Sequence, residues 1–230
     1  MAYCGPHEGR HTGVLVAQKL DEIIKSLNIP DTHIGITTDN ASNMKVAWRE
    51  STTINHGRGC MAHTIHLIVN KGLSEVEEIN NSLTRFKRLA QGCNQSNLYC
   101  QRIKKECEDL NNSGTTPVHH NKIIQSVDTR WNSTLMMIRS IVQIRTALDA
   151  IKIASSRSTP AALIDLIPEV EDFELMESII PILTKFEEVS VFMSSEKIPT
   201  ICWIIQKVSF LQTMLLSTIK KNPEPGNSIR

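Results

Sequence analysis

Apolar residues at positions 16, 20, 23, 24 and 27 recur at i, i+4, i+7, i+8 and i+11, which predicts an amphipathic helix beginning near Thr12 and ended by Pro30. The pattern then changes period. Residues 34–38 read as a short buried strand running into Asp39, and Asn40, Ser42 and Asn43 are residue types that open helices. Met44, Val46, Ala47 and Trp48 make the next helix, and a polar turn, His56-Gly-Arg-Gly59, leads into Cys60-Met-Ala-His63-Thr-Ile-His66. Residues 75–110 repeat apolar positions at helical spacing through Phe86, Leu89, Cys93, Cys100, Ile103, Cys107 and Leu110, with a break expected near Gly92. Residues 111–121 form a loop, 123–127 a short strand, and Leu135, Ile138, Ile141, Val142, Leu148 and Ile151 one strong helix. After a linker at 155–160 come two helices, about 169–192 and 199–220, the first containing Pro181. The fold class implied is α/β and predominantly helical, with two or three short strands at 34–38, 58–60 and 123–127. A strand–helix unit of this kind needs parallel neighbours to bury it.

Composition narrows this picture without redirecting it. Hydrophobic residues make up 40% of the 230, enough for a real core, while aromatic content of 4% argues against a β-sandwich. The net charge of +1 does not advertise nucleic-acid binding, but its distribution is uneven. Residues 163–196 hold nine acidic side chains against Lys185 alone, so the remainder of the chain is basic. No run reaches the roughly 18 apolar residues of a membrane span, so no membrane partner is expected. Cys93, Cys100 and Cys107 recur every seven residues. On one continuous helix that is about 10.5 Å of rise, beyond the reach of a disulfide, so they read as small core residues in a reducing compartment.

Three constellations carry candidate chemistry. Asp39 stands where an open α/β sheet collects its chemistry, at the carboxyl end of a strand. It reads either as a cap of the next helix or as a ligand for a divalent ion. His56, Cys60, His63 and His66 offer metal-type side chains, but structural zinc draws ligand pairs from separate elements. No partner pair is evident beyond the loop dipeptide His119-His120. The favoured reading buries Cys60 and hydrogen-bonds His63 near the sheet, without zinc. In Asp128-Thr-Arg130-Trp131-Asn-Ser133, one reading is a helix start, with Asn132 or Ser133 capping, Trp131 as a staple and Asp128 paired to Arg130. The other gives Arg130 a phosphate and Trp131 a base to stack on.

Taken together, Thr38-Asp-Asn-Ala-Ser-Asn-Met44, Cys60-Met-Ala-His63 with Leu67 to Val69 after it, and Asp128-Thr-Arg-Trp-Asn-Ser133 resemble the hAT superfamily of DNA transposases. The resemblance is nearest to domesticated members among BED-type zinc-finger proteins, and Ser194-Ser-Glu-Lys-Ile-Pro-Thr200 resembles a further family segment. It implies a ribonuclease-H-like core, here partial and spanning 1–75, interrupted by an all-helical insertion over 76–230 that includes the Arg-Trp element. Family enzymes hold two Mg²⁺ or Mn²⁺ ions with two aspartates and a glutamate to cut DNA. Asp39 matches the second aspartate, Cys60 and His63 the supporting Cys-x-x-His element, and Arg130 with Trp131 the DNA-facing pair. The matched segments place the first core strands with their aspartate, the glutamate, the BED finger and the dimerisation segment outside these 230 residues. One carboxylate of three implies a divalent ion held weakly at most. The expectation is therefore a nuclear, DNA- or chromatin-associated, transposase-derived protein without catalysis of its own. The alternatives are a piece of a competent transposase, cleaving phosphodiesters with metal and homodimerising through the dimerisation segment, and a helical protein-interaction scaffold.

Overall fold

The computed structural model describes residues 12–28, 34–114, 122–127, 131–154, 159–195 and 200–221. The chain divides into two compact units, Met1–Ile65 and His66–Arg230. As the hydrophobic periodicity predicts, helices dominate and the sheet is small. The elements of the first unit are α1 (Gly13–Ser26), β1 (Gly35–Thr38), α2 (Ser42–Glu50), β2 (His56–Gly59) and the start of α3 (Met61–Glu75).

β1 and β2 are parallel, paired Gly35 to His56 through Thr38 to Gly59. Parallel neighbours need a crossover, and α2 supplies it. Ahead of the ladder, Ile34 N–H donates to Asn55 Oδ1 at 2.8 Å and Ile34 C=O accepts from Asn55 N–H at 2.9 Å. The α1–α2 contact is made where side chains are small. Ala17 and Ala47 are buried, and a Cβ on Gly13 would lie 2.4 Å from Val46 Cβ and 2.7 Å from the Asn43 carbonyl. Trp48 covers β2 in the same way, its ring occupying the space a side chain on Gly57 would need.

The polar centre of this unit is Asp21, buried on α1. Its carboxylate accepts from Ser51 Oγ (2.5 Å), from Thr52 N–H (2.9 Å) and Oγ1 (2.8 Å), and from Thr53 N–H (3.3 Å) and Oγ1 (2.7 Å). Burial pushes the Asp21 pKa up, but the hydrogen bonds from Ser51, Thr52 and Thr53 outweigh it and hold the carboxyl well below the usual range. One side chain thereby fixes the turn between α2 and β2 onto α1.

The second unit holds the remainder of α3, then α4 (Glu77–Gln95), α5 (Asn97–Asn112), α6 (Trp131–Val142), α7 (Arg145–Ala154), α8 (Ala161–Ile164) and α9 (Val170–Met193). A 3₁₀ turn (Ile201–Trp203) and α10 (Ile204–Lys221) follow. α4 packs on α5, α6 and α9, α5 on α7, and α6 on α9. The core between them is built from Phe86, Leu89, Ile103, Leu135, Ile138, Ile141, Leu148, Ile151 and Phe173, all almost fully buried. Phe86 and Phe173 meet edge to face with centroids 5.3 Å apart, a favoured aromatic geometry. Beside them Asp172 is the buried polar anchor. It accepts from Ser82 Oγ and Arg85 Nη1, each at 2.6 Å, and closes a capping box with Glu169 at the start of α9. Burial raises its pKa, while the bonds from Ser82, Glu169 N–H and Arg85 bring it to a net lowered value.

Several boundaries differ from those the periodicity predicts. The long cysteine-striped stretch breaks at Ser96, which is extended (φ −124°, ψ 108°), and not at Gly92. Gly92 lies inside α4, and a Cβ there would come within 2.6 Å of Leu166 Cδ1, so the glycine leaves room for that side chain. The bend also removes the single-helix premise for the cysteines. Cys93 ends up on α4 and Cys100 on α5, with Cys100 Sγ donating to the Cys93 carbonyl at 3.0 Å. The described cysteines, Cys60, Cys93, Cys100, Cys107 and Cys202, are free thiols, and burial pushes the Cys93 thiol up to about 12.

The helix expected through 135–151 is two, α6 and α7, separated at Gln143 and Ile144, where buried Ile144 starts a new turn by accepting from Ala147 N–H at 3.0 Å. The short α8 carries too few residues to show a period. Residues 123–127 form no strand, and backbone groups of Ile124 and Val127 bond to serines of α6 in place of a neighbouring strand. Ser140 Oγ accepts from Ile124 N–H at 3.1 Å, and Ser133 Oγ both accepts from Val127 N–H (2.8 Å) and donates to its carbonyl (2.9 Å). No helix among the described residues is long and apolar enough to cross a membrane.

Candidate functional site

Asp39 sits exposed at the carboxyl end of β1, the position its sequence context predicts. It does not serve as the N-cap of α2. That role falls to Ala41, which has no capping side chain, and Asn40, Ser42 and Asn43 do not fill it either. Asp39 Oδ1 instead accepts from Ala41 N–H at 3.2 Å, an Asx-type turn that leads the chain from strand to helix. Met44 N–H is shared between Asn43 Oδ1 at 3.0 Å and the Ala41 carbonyl at 3.1 Å.

Cys60 follows β2 directly. Its N–H donates to the Thr38 carbonyl at 2.5 Å, extending the parallel ladder to the residue before Asp39. Around this junction Asn40 Nδ2 donates to Thr64 Oγ1 and Thr64 Oγ1 to the Cys60 carbonyl, both at 3.0 Å. Asn40 lies so close over Gly59 that a Cβ there would fall 1.9 Å from its Oδ1. A side chain at 59 is therefore incompatible with the Asn40–Thr64 bridge. Cys60 and His63 are half-buried at the start of α3 and belong to the same unit as Asp39. The motif reading singled out Cys60 and His63. It read Asn40 as a helix opener and Gly59 as part of a turn and gave Thr64 no role, whereas all three contribute to the packing of this junction.

A divalent-ion centre needs several carboxylates converging on one point. Among the described residues, no three of His, Cys, Asp and Glu are placed to hold a metal ion. Asp39, with one oxygen committed to Ala41, is the single acidic side chain of the matched motifs that is described. These residues do not by themselves fit a two-ion centre. The His56, Cys60, His63 and His66 string does not converge on one point either.

The second candidate group is on the other unit. Asp128 and Arg130 lie outside the described residues. Trp131 begins α6, is 3% exposed, and forms part of the wall of a cavity between α3, α4 and α6. Its backbone N–H, one of the orphan donors of a helix start, points to His66 Nδ1 at 3.4 Å. His66 Nε2 faces the Asn70 side-chain amide at 3.0 Å. The ring satisfies both neighbours when neutral, with Nδ1 accepting, Nε2 protonated, and the Asn70 amide turned oxygen-first toward it. His66 thus supports the start of α6. Ser133, in the first turn of α6, clasps Val127, as described above.

Residues 59–180 match the family model described as the ZBED1 RNase-like helical domain. The chain is 27% identical to the AC transposase of Zea mays over 84% of its own length, and 29% identical to the AC9 transposase of the same plant over 65%. It is also 24% identical over 95% of its length to a protein of Talaromyces stipitatus named as the transcriptional regulator tpeD. The matched region spans 24%, 18% and 28% of those three relatives.

Proposed function

Since the chain belongs to the ZBED1 RNase-like helical domain family and is a hAT-transposase-related protein, we propose that it associates with DNA or chromatin in the nucleus and does not cut DNA by itself. In this reading residues 1–75 are a remnant of the ribonuclease-H-like core and 76–230 its helical insertion. The observation that carries it is the contrast between the two candidate groups. Asp39 stands without converging carboxylates among the described residues. The Trp131 helix start, by comparison, is held among the described residues by His66 from α3, and α6 clasps Ile124 and Val127 through Ser140 and Ser133. The names of the relatives, two transposases and one transcriptional regulator, support a DNA-related role.

Two ions about 3.5–4 Å apart repel strongly and need several carboxylates to neutralise them. Asp39 supplies one charge, enough for a weakly held, largely hydrated Mg²⁺ or Mn²⁺. Supercoiled plasmid incubated with the chain and Mn²⁺ is expected to remain supercoiled, with the wild type and Asp39→Ala indistinguishable. Nicking by the wild type that is lost in Asp39→Ala overturns the non-catalytic reading. It also establishes the second one, in which Asp39 is a working member of a transposase active site. That second reading draws support from the placement of Asp39, exposed and fixed by a single backbone bond at the mouth of a parallel strand pair.

A further inference from the structure

The bend at Ser96 brings together two thiols that one continuous helix would hold too far apart to bridge. Cys93 sits in the last turn of α4 and is 3% exposed, while Cys100 sits in α5 just past the bend and is half-buried. A helix leaves its last carbonyls without partners of its own. The Cys93 carbonyl is one of them, and the Cys100 thiol donates to it at 3.0 Å. A residue's carbonyl and side chain hang on the same Cα, so this bond sets the Cys100 sulfur against Cys93 itself. The two thiols also meet directly. Burial is the largest cause of the raised Cys93 thiol, and Cys100 adds to it by charge and through a side-chain hydrogen bond. Cys107, further along α5, is raised by burial and by Glu106 and Glu108, with no thiol acting on it.

From this juxtaposition we infer that Cys93 and Cys100 form an oxidation site, closed to a disulfide by a peroxide. Exposure sets the order of events, since reagent reaches half-buried Cys100 and not Cys93. The Cys100 thiolate attacks one peroxide oxygen and the O–O bond breaks. Hydroxide leaves, takes up the proton the thiol had lost, and a sulfenic acid remains on Cys100. The Cys93 sulfur then attacks the sulfenic sulfur, the S–S bond forms, and the Cys93 proton departs with the sulfenic hydroxyl as water. Each sulfur gives up one electron, and the peroxide takes both and ends as two molecules of water. The product is a covalent tie across the α4–α5 bend, and it replaces the thiol hydrogen bond to the Cys93 carbonyl. This site stands apart from the DNA-associated reading and does not depend on it.

The test treats the folded 230-residue chain with hydrogen peroxide, then unfolds it, alkylates it and digests it with trypsin for mass spectrometry. Cleavage after Arg88 and Arg102 leaves both cysteines on one peptide, residues 89–102, and Cys107 on another. The 89–102 peptide is expected to lose two hydrogens and both alkylation sites and to regain them with dithiothreitol, while Cys107 stays alkylated throughout. Cys93→Ala is expected to halt the sequence at the Cys100 sulfenic acid, trapped by dimedone. Cys100→Ser keeps a hydroxyl donor for the Cys93 carbonyl and is expected to leave Cys93 fully alkylated after peroxide. A wild-type peptide that stays alkylated at both positions overturns the assignment and leaves Cys100 as a cap of α4. Sulfinic or sulfonic acid on Cys100 beside a free Cys93 overturns it too, as does a bridge from Cys100 to any other cysteine. A bridge that forms only when peroxide is added in urea has the same force. The wild-type digest decides the matter by itself if either variant folds poorly.

Discussion

Replacing Asp21 by Asn tests whether one buried carboxylate holds the strand-bearing unit together. Oδ1 accepts from Ser51 Oγ and from Thr53 N–H and Oγ1, while Oδ2 accepts from Thr52 N–H and Oγ1. Asparagine keeps one acceptor and turns two N–H donors toward the other set. The hydroxyls can rotate, but a backbone N–H cannot, so either Thr52 or Thr53 faces donor to donor. Hydrogen bonds to charged groups contribute about 1.5–3 kcal/mol, and an unsatisfied buried donor costs about 1–3 kcal/mol, so a loss of about 2–4 kcal/mol is expected. For a chain of this size, about 2–4 °C per kcal/mol places the fall in Tm at about 4–16 °C.

The pH dependence carries the sign. The folded-state pKa of Asp21 is depressed below its ordinary value, so its stabilisation is fully present above about pH 4. It fades as pH falls through the unfolded value of about 3.9 toward the folded one. Urea unfolding followed by Trp48 emission, in a Trp131→Phe/Trp203→Phe background, reads this unit directly, since Trp48 packs on β2. The wild type and Asp21→Asn should differ by a constant amount between pH 6 and 8 and converge as the pH drops below about 4. A difference under about 0.5 kcal/mol at neutral pH, the range of ordinary surface substitutions, refutes the argument. So does a difference that persists unchanged at pH 3.

Asp172→Ala removes the acceptor shared by Ser82, Arg85 and the Glu169 N–H and is expected to cost about 2–4 kcal/mol; thermal unfolding by circular dichroism checks it. Gly92→Ala should change stability by less than about 1 kcal/mol, because the tip of Leu166 can turn away from the new Cβ and the gain in helix propensity offsets the repacking, measured the same way, whereas Gly72→Ala, whose Cβ would meet nothing within 4 Å, should stabilise α3 by up to about 1 kcal/mol. In native protein, exposed Cys202 should react with a thiol reagent well before buried Cys93 and Cys107, and reaction of all three at one rate counts against the packing described. Elemental analysis of purified protein should find no stoichiometric zinc, and one zinc per chain would overturn the reading of Cys60 and the three histidines.

Periodicity revealed the elements but not their ends. The 3.6-residue stripe through Phe86, Leu89, Cys93, Cys100 and Ile103 continues across Ser96 because both helices bury the same side of the chain. A bend that preserves the buried face leaves the hydrophobic pattern intact, and this one shows only in the Ser96 dihedrals. The division between α6 and α7 stayed hidden for the same reason, since Ile141, Ile144 and Leu148 are buried on both sides of it. Residues 123–127 carry the composition of a strand, but their donors find Ser133 and Ser140. Those serines are seven residues apart on α6, and nothing local in the sequence marks them as backbone partners.

The candidate site divides along the same line between what is local and what is not. Asp39 was legible because a short apolar run ending in a carboxylate is a local pattern, and β1 forms where that pattern places it. The Asn40–Thr64 bridge over Gly59 joins residues 24 positions apart, and the His66 contact to Trp131 joins residues 65 apart. Both depend on packing that no window of sequence contains. The bridge nevertheless changes what the local motif means. With Asn40 committed to Thr64 and one Asp39 oxygen committed to Ala41, the segment after β1 is fixed at two consecutive residues. Its carboxylate takes that one bond, which leaves the second oxygen to the solvent. That arrangement serves a plain strand-to-helix turn as it stands, and serves a divalent-ion site only where residues beyond the described ones supply further ligands. The Asp39→Ala comparison in Mn²⁺ separates these two cases, because only in the second does removing a single carboxylate change what happens to the DNA.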